Sequence, residues 1–469
     1  MKVNGLMIDC SRLMERHEYY RRLVDFMADW GMNALVLHFS DDFGLAVRLP
    51  GFGSLAMPRA FSTRDIRNLT AHAKSRGIDI IPELEVFGHT RYLTDHPDYA
   101  HLFAGRKTRR LLFNAIDPLN AETLRLMRKL IRSTAKVFPS DFLHLGCDEV
   151  NLKDYCRERG MDEADVWTDY VNAMAGEALA AGKKPMIWGD HPAADGRIAA
   201  KLRKDLILVE WRYTAGIRDT VLPVLERAGF TDFIVAPSLA CYSHRFLPPE
   251  AALENTKRMA RIGARHRVMG LVNTIWCPWR YLQNALYYGI AYSALSVRGG
   301  GPVDKKAFHG EFAAKVLGTE LARPLDRFLT AYPKMSINNV LARKIASKNP
   351  AFIESEWDEL RRVNTLGRRA LPAAEAYTPK RNADIWEGMV LACLAAWLCS
   401  EWCLLRAEPS CTAERRAAFN ALLRSTRRRL DAEWDRTRYA DDPQKRRTAF
   451  PDHADQYALV LMKRLSYLK

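Results

Sequence analysis

Through the first 300 residues, short runs of apolar side chains alternate with longer stretches whose apolar positions recur every three to four residues. The first pattern is that of a strand buried on both faces, the second that of an amphipathic helix. Residues 5–9 read as the first strand. Leu23, Phe26, Met27 and Trp30 then share one helical face, with Gly31 placed to end the helix. Residues 34–39 form the next apolar run. Ser62, with Asp65 three positions on, opens a helix by reciprocal capping, and Gly77 closes it. A strand at 78–82, a helix over 120–137, a strand at 142–147, a helix over 163–181 and a strand at 186–189 follow. Strands at 206–210, 233–236 and 271–276 alternate with helical patterns near 219–228 and 249–265, and an apolar helix spans 281–297. Eight strand-then-helix units in this length predict a parallel (β/α)8 barrel, an α/β fold of the TIM class. An open doubly wound sheet is the alternative, but no glycine-rich phosphate loop follows the first strand.

Arg298, three glycines and Pro302 break the alternation and mark a boundary, with a barrel over 1–300 and a C-terminal all-α domain over 301–469. Beyond it strand signals vanish and long amphipathic stretches take over, at 356–365, 384–406 and 413–438. The apolar segment 388–399 is too short to span a bilayer and reads as a buried helix, so no membrane is expected.

Composition narrows the class. Hydrophobic residues are 48% and charged residues 27% of the 469, which excludes disordered and fibrous chains. Nine cysteines occur without a single CxxC, which suits reduced thiols and a cytoplasmic setting. Asp9 and Arg12 arrive before any long apolar run, so no secretory leader is expected. The net charge of +16 is uneven, since residues 301–469 carry 30 Lys and Arg against 21 Asp and Glu. A nucleic-acid partner would rest on that charge alone. Arg427–429 and Lys445–Arg447 lack interleaved aromatics and read as solvated helix surface. No nucleic acid is expected, and a homo-oligomer stays open.

Chemistry in such a barrel gathers at the C-terminal strand ends. Those ends deliver Asp9 and Arg12, then Asp41 and Asp42, then Glu83, Glu85 and His89, then Asp148 and Glu149. Trp188 and Asp190, Glu210 and Trp211, Tyr242 and His244, and Trp276 and Trp279 complete the circuit. Carboxylates with aromatics form a sugar-like inventory, because indole faces stack on pyranose rings while charged groups hold hydroxyls. Adjacent Asp148 and Glu149 repel, and one of two such neighbours is readily held protonated as a general acid.

His144-Leu-Gly-Cys-Asp-Glu149 resembles the H-x-G-G-D-E signature of glycoside hydrolase family 20, the β-N-acetylhexosaminidases. Asp9-Cys-Ser-Arg12 resembles the family's first-strand D-x-x-R, His38-Phe-Ser-Asp-Asp42 its H-x-x-D-D, and Pro82-Glu-Leu-Glu-Val-Phe-Gly-His-Thr90 its P-E-I-D-x-P-G-H-T. The match covers about residues 1–300, and the chain looks most like the short hexosaminidase D-type branch. The resemblance implies an exo-acting retaining enzyme that removes terminal β-linked GlcNAc or GalNAc by substrate-assisted catalysis through an oxazolinium. It implies Glu149 as general acid and base, and Asp148 and Tyr242 as the acetamido partners. His89 and Asp41 would form a supporting dyad, with Asp41 preferred to Asp42 on its spacing from Arg12. Arg12 would hold the outer hydroxyls, while Trp188, Trp211 and Trp276 or Trp279 would wall the sugar. No cofactor and no metal is expected.

Several positions depart from the family pattern. Cys147 replaces the second glycine of the signature and Phe87 the proline of P-G-H. His244 stands where the family has an acid, and Trp276 is followed by Cys277 and Pro278 in place of W-x-E. With Arg245 and Arg280 nearby, an alternative expectation is a 4- or 6-modified, anionic N-acetylhexosaminide held by His244 and Arg280. A non-catalytic glycan-binding barrel is the other alternative.

Overall fold

Eight of the apolar runs pair edge to edge. They are β1 (Val3–Asp9), β2 (Ala34–His38), β3 (Asp79–Glu83), β4 (Phe142–His144), β5 (Lys184–Trp188), β6 (Ile207–Trp211), β7 (Phe233–Ala236) and β8 (Gly270–Ile275). All neighbours run parallel in chain order, and β1 pairs with β8 to close the predicted barrel. The computed structural model describes residues 1–105, 115–241, 244–347, 351–439 and 458–468.

Local chemistry explains the connections. Ser62 and Asp65 form the expected capping box on the helix Thr63–Ser75. Asn120 and Asp162 cap the helices Ala121–Val137 and Glu163–Ala180 through their side-chain oxygens. Among the barrel strands the largest boundary difference is at β4, where the chain leaves the sheet three residues before the predicted end. Gly146 and Cys147 take left-handed backbone, at φ 65° and 71°, which no strand accommodates. Apolar continuity through Leu145 and Cys147 carries no information about that change of hand.

Register places the first polar groups. Asp9 lies beside His38, His38 beside Glu83, and Glu83 beside His144 across β1 to β4. Partners at matched positions on parallel strands point the same way, so these four buried residues form one polar row. Beyond β2, Ser40–Asp41, Gly44–Val47 and Ala56–Phe61 make a small three-stranded sheet, and the pairing of Asp41 with Gly44 fixes the Asp41–Asp42 turn.

The chain divides into two compact units that interleave in sequence. One comprises Met1–Pro237, Asn255–Thr274 and Val297–Gly301 and carries the barrel; the other comprises Ser238–Glu254, Ile275–Ser296 and Pro302–Lys469. Residues 238–254 and 275–296, read from sequence as barrel, thus organise with the C-terminal helices. Buried hydrogen bonds within the second unit supply the reason. Arg438 Nη2 donates to the carbonyls of Pro278 and Tyr281 at 2.8 and 3.2 Å, and Asn284 Nδ2 donates to Glu433 at 2.7 Å.

The apolar segment 388–399 lies inside the longer helix Ala383–Ala407, which neighbours Glu354–Glu375 and Ala413–Thr437. By length and composition this helix could cross a membrane, yet 89% of its most apolar window is buried within the protein. Two of the arginines read as solvated are committed to neighbours. Arg427 donates to the carbonyls of Met462 and Leu465, and Arg429 pairs with Glu375 and Glu387. Lys445–Arg447 lie outside the described residues.

Candidate active site

The first barrel unit brings Arg12, Asp41, His89, Asp148 and Glu149 together. At the end of β1, Asp9 accepts the Arg12 backbone N–H at 3.0 Å and pairs with its guanidinium at 2.9 Å. The other arm of Arg12 reaches Asp41 Oδ2 at 2.7 Å. His38 pairs with that same oxygen at 3.1 Å through Nε2 and with Glu83 at 3.0 Å through Nδ1.

His89 stands in the middle. Its Nδ1 lies 3.3 Å from Asp42 and 3.5 Å from Asp41, while its Nε2 lies 3.3 Å from Glu149 Oε2 and 3.7 Å from Asp148. The dyad expected from sequence is therefore a triad on its acidic side, because both residues of the Asp41–Asp42 turn face one imidazole nitrogen.

Burial and charge decide the protonation states. Burial alone would neutralise His89, but Asp148 and Asp41 outweigh it and hold the ring protonated, well above the ordinary imidazole range. Burial likewise works against charge on His38, yet Glu83 and Asp41 push it up to about 10. Asp41 is held ionised against its burial by Arg12 and His89. Burial pushes Asp148 up to about 7, His89 opposing and Asp190 and Glu149 adding to the rise. Glu85, buried and beside Asp148, is driven far up and stays a neutral acid.

Two glycines make this packing possible. A Cβ on Gly146 would sit 2.0 Å from Glu85 Oε2, and one on Gly88 would sit 2.4 Å from the Asp148 carbonyl oxygen. Real carbon atoms do not approach so closely, so the glycines of both motifs are steric requirements. Glu149 itself has left-handed backbone at φ 51°, as does His89 at 49°. Each such non-glycine residue costs on the order of 1–3 kcal/mol, which the surrounding contacts must offset.

Three sets of donors here lie close enough to share a cation: His38 with Glu83 and Glu85, His89 with Asp41 and Asp42, and His89 with Asp148 and Glu149. Each set contains a histidine that the neighbouring carboxylates hold protonated. The donor set suits ion pairing and proton transfer.

The expected sugar-wall residues divide. Trp188 is 2% exposed, donates its indole N–H to Glu83 at 2.7 Å and packs on His144, so it buttresses the polar row. Trp211 is half-buried beside Tyr213 and lines a cavity of about 320 Å³ with Asp190, Glu210 and Arg212. Tyr242 lies outside the described residues. His244, Trp276, Trp279 and Arg280 belong to the second unit. There Trp279 and Arg280 are each 2% exposed, Trp276 is half-buried, and burial pushes His244 down to about 4. Arg245 donates through Nε and Nη2 to Asn339 at 3.0 Å. Sequence reading assigned no role to Glu85, His144, Asp190 or His191. Glu85 had its strand-end position and its place in the Pro82–Thr90 motif, Asp190 had its strand-end position alone, and nothing distinguished His191.

A closed (β/α)8 barrel holds an imidazolium between an acidic turn and an acidic pair at β4. The family model for glycosyl hydrolase family 20, catalytic domain, matches residues 2–258, and the chain belongs to that family. It is similar to a β-hexosaminidase of Vibrio furnissii, at 24% identity over 65% of this chain and 57% of that protein. A β-hexosaminidase A of Caenorhabditis elegans is 31% identical over 34% of this chain and 30% of its own length. The chain thus spans less than two thirds of either relative. A Flavobacterium johnsoniae chitobiase structure shares the fold, with TM-score 0.55 at 18% identity, covering 99% of this chain and 78% of its own.

Proposed function

We propose that this protein is an exo-acting, retaining β-N-acetylhexosaminidase that works by substrate assistance. The observation that carries the reading is the Asp148–Glu149 pair at the barrel mouth with the protonated His89 ring 3.3 Å from Glu149. In this reading the substrate's 2-acetamido oxygen attacks C1 and forms the oxazolinium. Glu149 protonates the departing oxygen, and as a carboxylate it then activates the water that opens the ring. Asp148 accepts the acetamido N–H and, once ionised, stabilises the positive charge developing on that group. Arg12, anchored by Asp9 and Asp41, takes the outer hydroxyls, and the family resemblance alone gives Tyr242 the acetamido oxygen. An unmodified terminal GlcNAc or GalNAc is the substrate of this reading; Arg245, one of the two arginines behind the anionic alternative, donates to Asn339.

Hydrolysis of a chromogenic N-acetyl-β-glucosaminide or galactosaminide, lost in Glu149→Gln, is the expected result. Strong inhibition by a thiazoline mimic would accompany it. Efficient cleavage of a plain β-glucoside would overturn substrate assistance. Binding of N-acetylglucosamine by an inert wild type would favour a glycan-binding barrel instead. A reducing, cytoplasmic setting is part of the proposal, supported by nine cysteines that form no disulfide among the described residues. Cell fractionation tests it.

A further inference from the structure

The turn that carries Glu149 is held from outside by two side chains that lie outside the four motifs quoted above. Asp190 and His191 open the short helix Asp190–Ala194 just after β5. Asp190 Oδ2 accepts the backbone N–H of Glu149 at 3.0 Å, and His191 Nε2 accepts the N–H of Val150 at 3.0 Å. Glu149 needs such support, because its left-handed backbone at φ 51° is one that a glutamate does not adopt unaided. Without these acceptors, two backbone amides at the chemical centre would lose the side-chain partners they have here.

Resting on the hydrolase reading above, we propose that Asp190 and His191 form a backbone clamp that positions the general acid. The clamp is rigid at its own base. The His191 ring lies against Trp167 with centroids 5.0 Å apart, and Trp167 is 1% exposed. Asp190 Oδ1 is buried with no hydrogen-bond partner among the described residues, so the carboxylate's one directed bond goes to Glu149. His191 accepts only while Nε2 is unprotonated, and its burial favours that neutral state against the carboxylates of Asp190, Glu163 and Glu149 that face it. Asp190 and His191 are positioning residues, since they reach the substrate only through the chain they hold.

Steady-state kinetics on the chromogenic N-acetyl-β-glucosaminide, with amide hydrogen exchange on the same proteins, tests the clamp. Asp190→Ala is expected to lower kcat about 100-fold with KM little changed, as for a misplaced catalytic group. Asp190→Asn keeps an acceptor oxygen and is expected to recover most of that loss. His191→Gln and His191→Leu form the same pair at Val150 and carry the test if Asp190→Ala does not fold. Exchange at Glu149 and Val150 is expected to rise in the Ala and Leu variants while Leu143 in β4 keeps its protection. Unchanged exchange at Glu149 and Val150 would overturn the clamp. Faster exchange with wild-type kcat would overturn its catalytic role, as would an Asn variant no better than Ala. An inactive wild type whose variants still lose protection would overturn the hydrolase reading and leave the clamp standing.

Discussion

His89 Nε2 lies 3.3 Å from Glu149 Oε2, and that one approach connects Glu149, the proposed proton donor, to a charge network running back to Arg12. The imidazolium is held charged by acids on both sides, so it presents a fixed positive group to Glu149 whether that carboxyl carries its proton or not. Removing it leaves Asp41, Asp42, Asp148 and Glu149 without their common counter-charge. His89→Gln is therefore expected to lower kcat by about 10²-fold or more, within the range for a lost acid–base component. Its pH–rate profile is also expected to move, which a purely structural loss would not produce.

Asp148 supplies the pH dependence. Burial raises its carboxyl to about 7 from an ordinary value near 4. The proposed mechanism needs it ionised, so the acid limb of the kcat/KM profile is expected to rise through about pH 7. Stability moves the other way. The native state binds this proton more tightly than the unfolded chain, so the contribution is complete below about pH 4 and is lost as pH rises through about 7. Thermal melts from pH 4 to 9 are expected to show a smaller alkaline decline in Asp148→Asn than in the wild type.

Gly146 is predicted to be the least substitutable residue of the β4 motif. Gly146→Ala would place a methyl 2.0 Å from Glu85 Oε2 in a left-handed residue. Loss of activity is expected, with destabilisation of several kcal/mol (on the order of 2–4) from overpacking and strain together. Cys147→Gly, by contrast, relieves a φ of 71° and is expected to fold and retain activity. Urea melts of the two variants distinguish these outcomes.

Trp188 tests the interior polar row. Its indole N–H is a partner of buried Glu83, which also faces His38 and His144. Trp188→Phe keeps most of the ring but removes that donor, and is expected to cost about 1–3 kcal/mol. Chemical denaturation measures the loss, and an effect on KM without one on stability would return Trp188 to the sugar wall.

Much of this protein is legible in one dimension. Alternating apolar runs and amphipathic stretches determine eight parallel strands with intervening helices, because burial on both faces demands continuous apolar strands. Strand ends then nominate Arg12, Asp41, His89, Asp148 and Glu149. Tertiary structure alone decided the rest. That Asp42 joins Asp41 on one nitrogen of His89 depends on a hairpin turn, and that Trp188 faces inward depends on register across β3 to β5. That β4 stops at His144 depends on backbone handedness, which residue type at Cys147 does not announce. The recruitment of 238–254 and 275–296 to the C-terminal unit depends on hydrogen bonds such as Arg438 to Pro278, between residues 160 positions apart. Periodicity records which face of an element is buried. It does not record what that face is buried against, and the support of Glu149 by Asp190 is of that second kind.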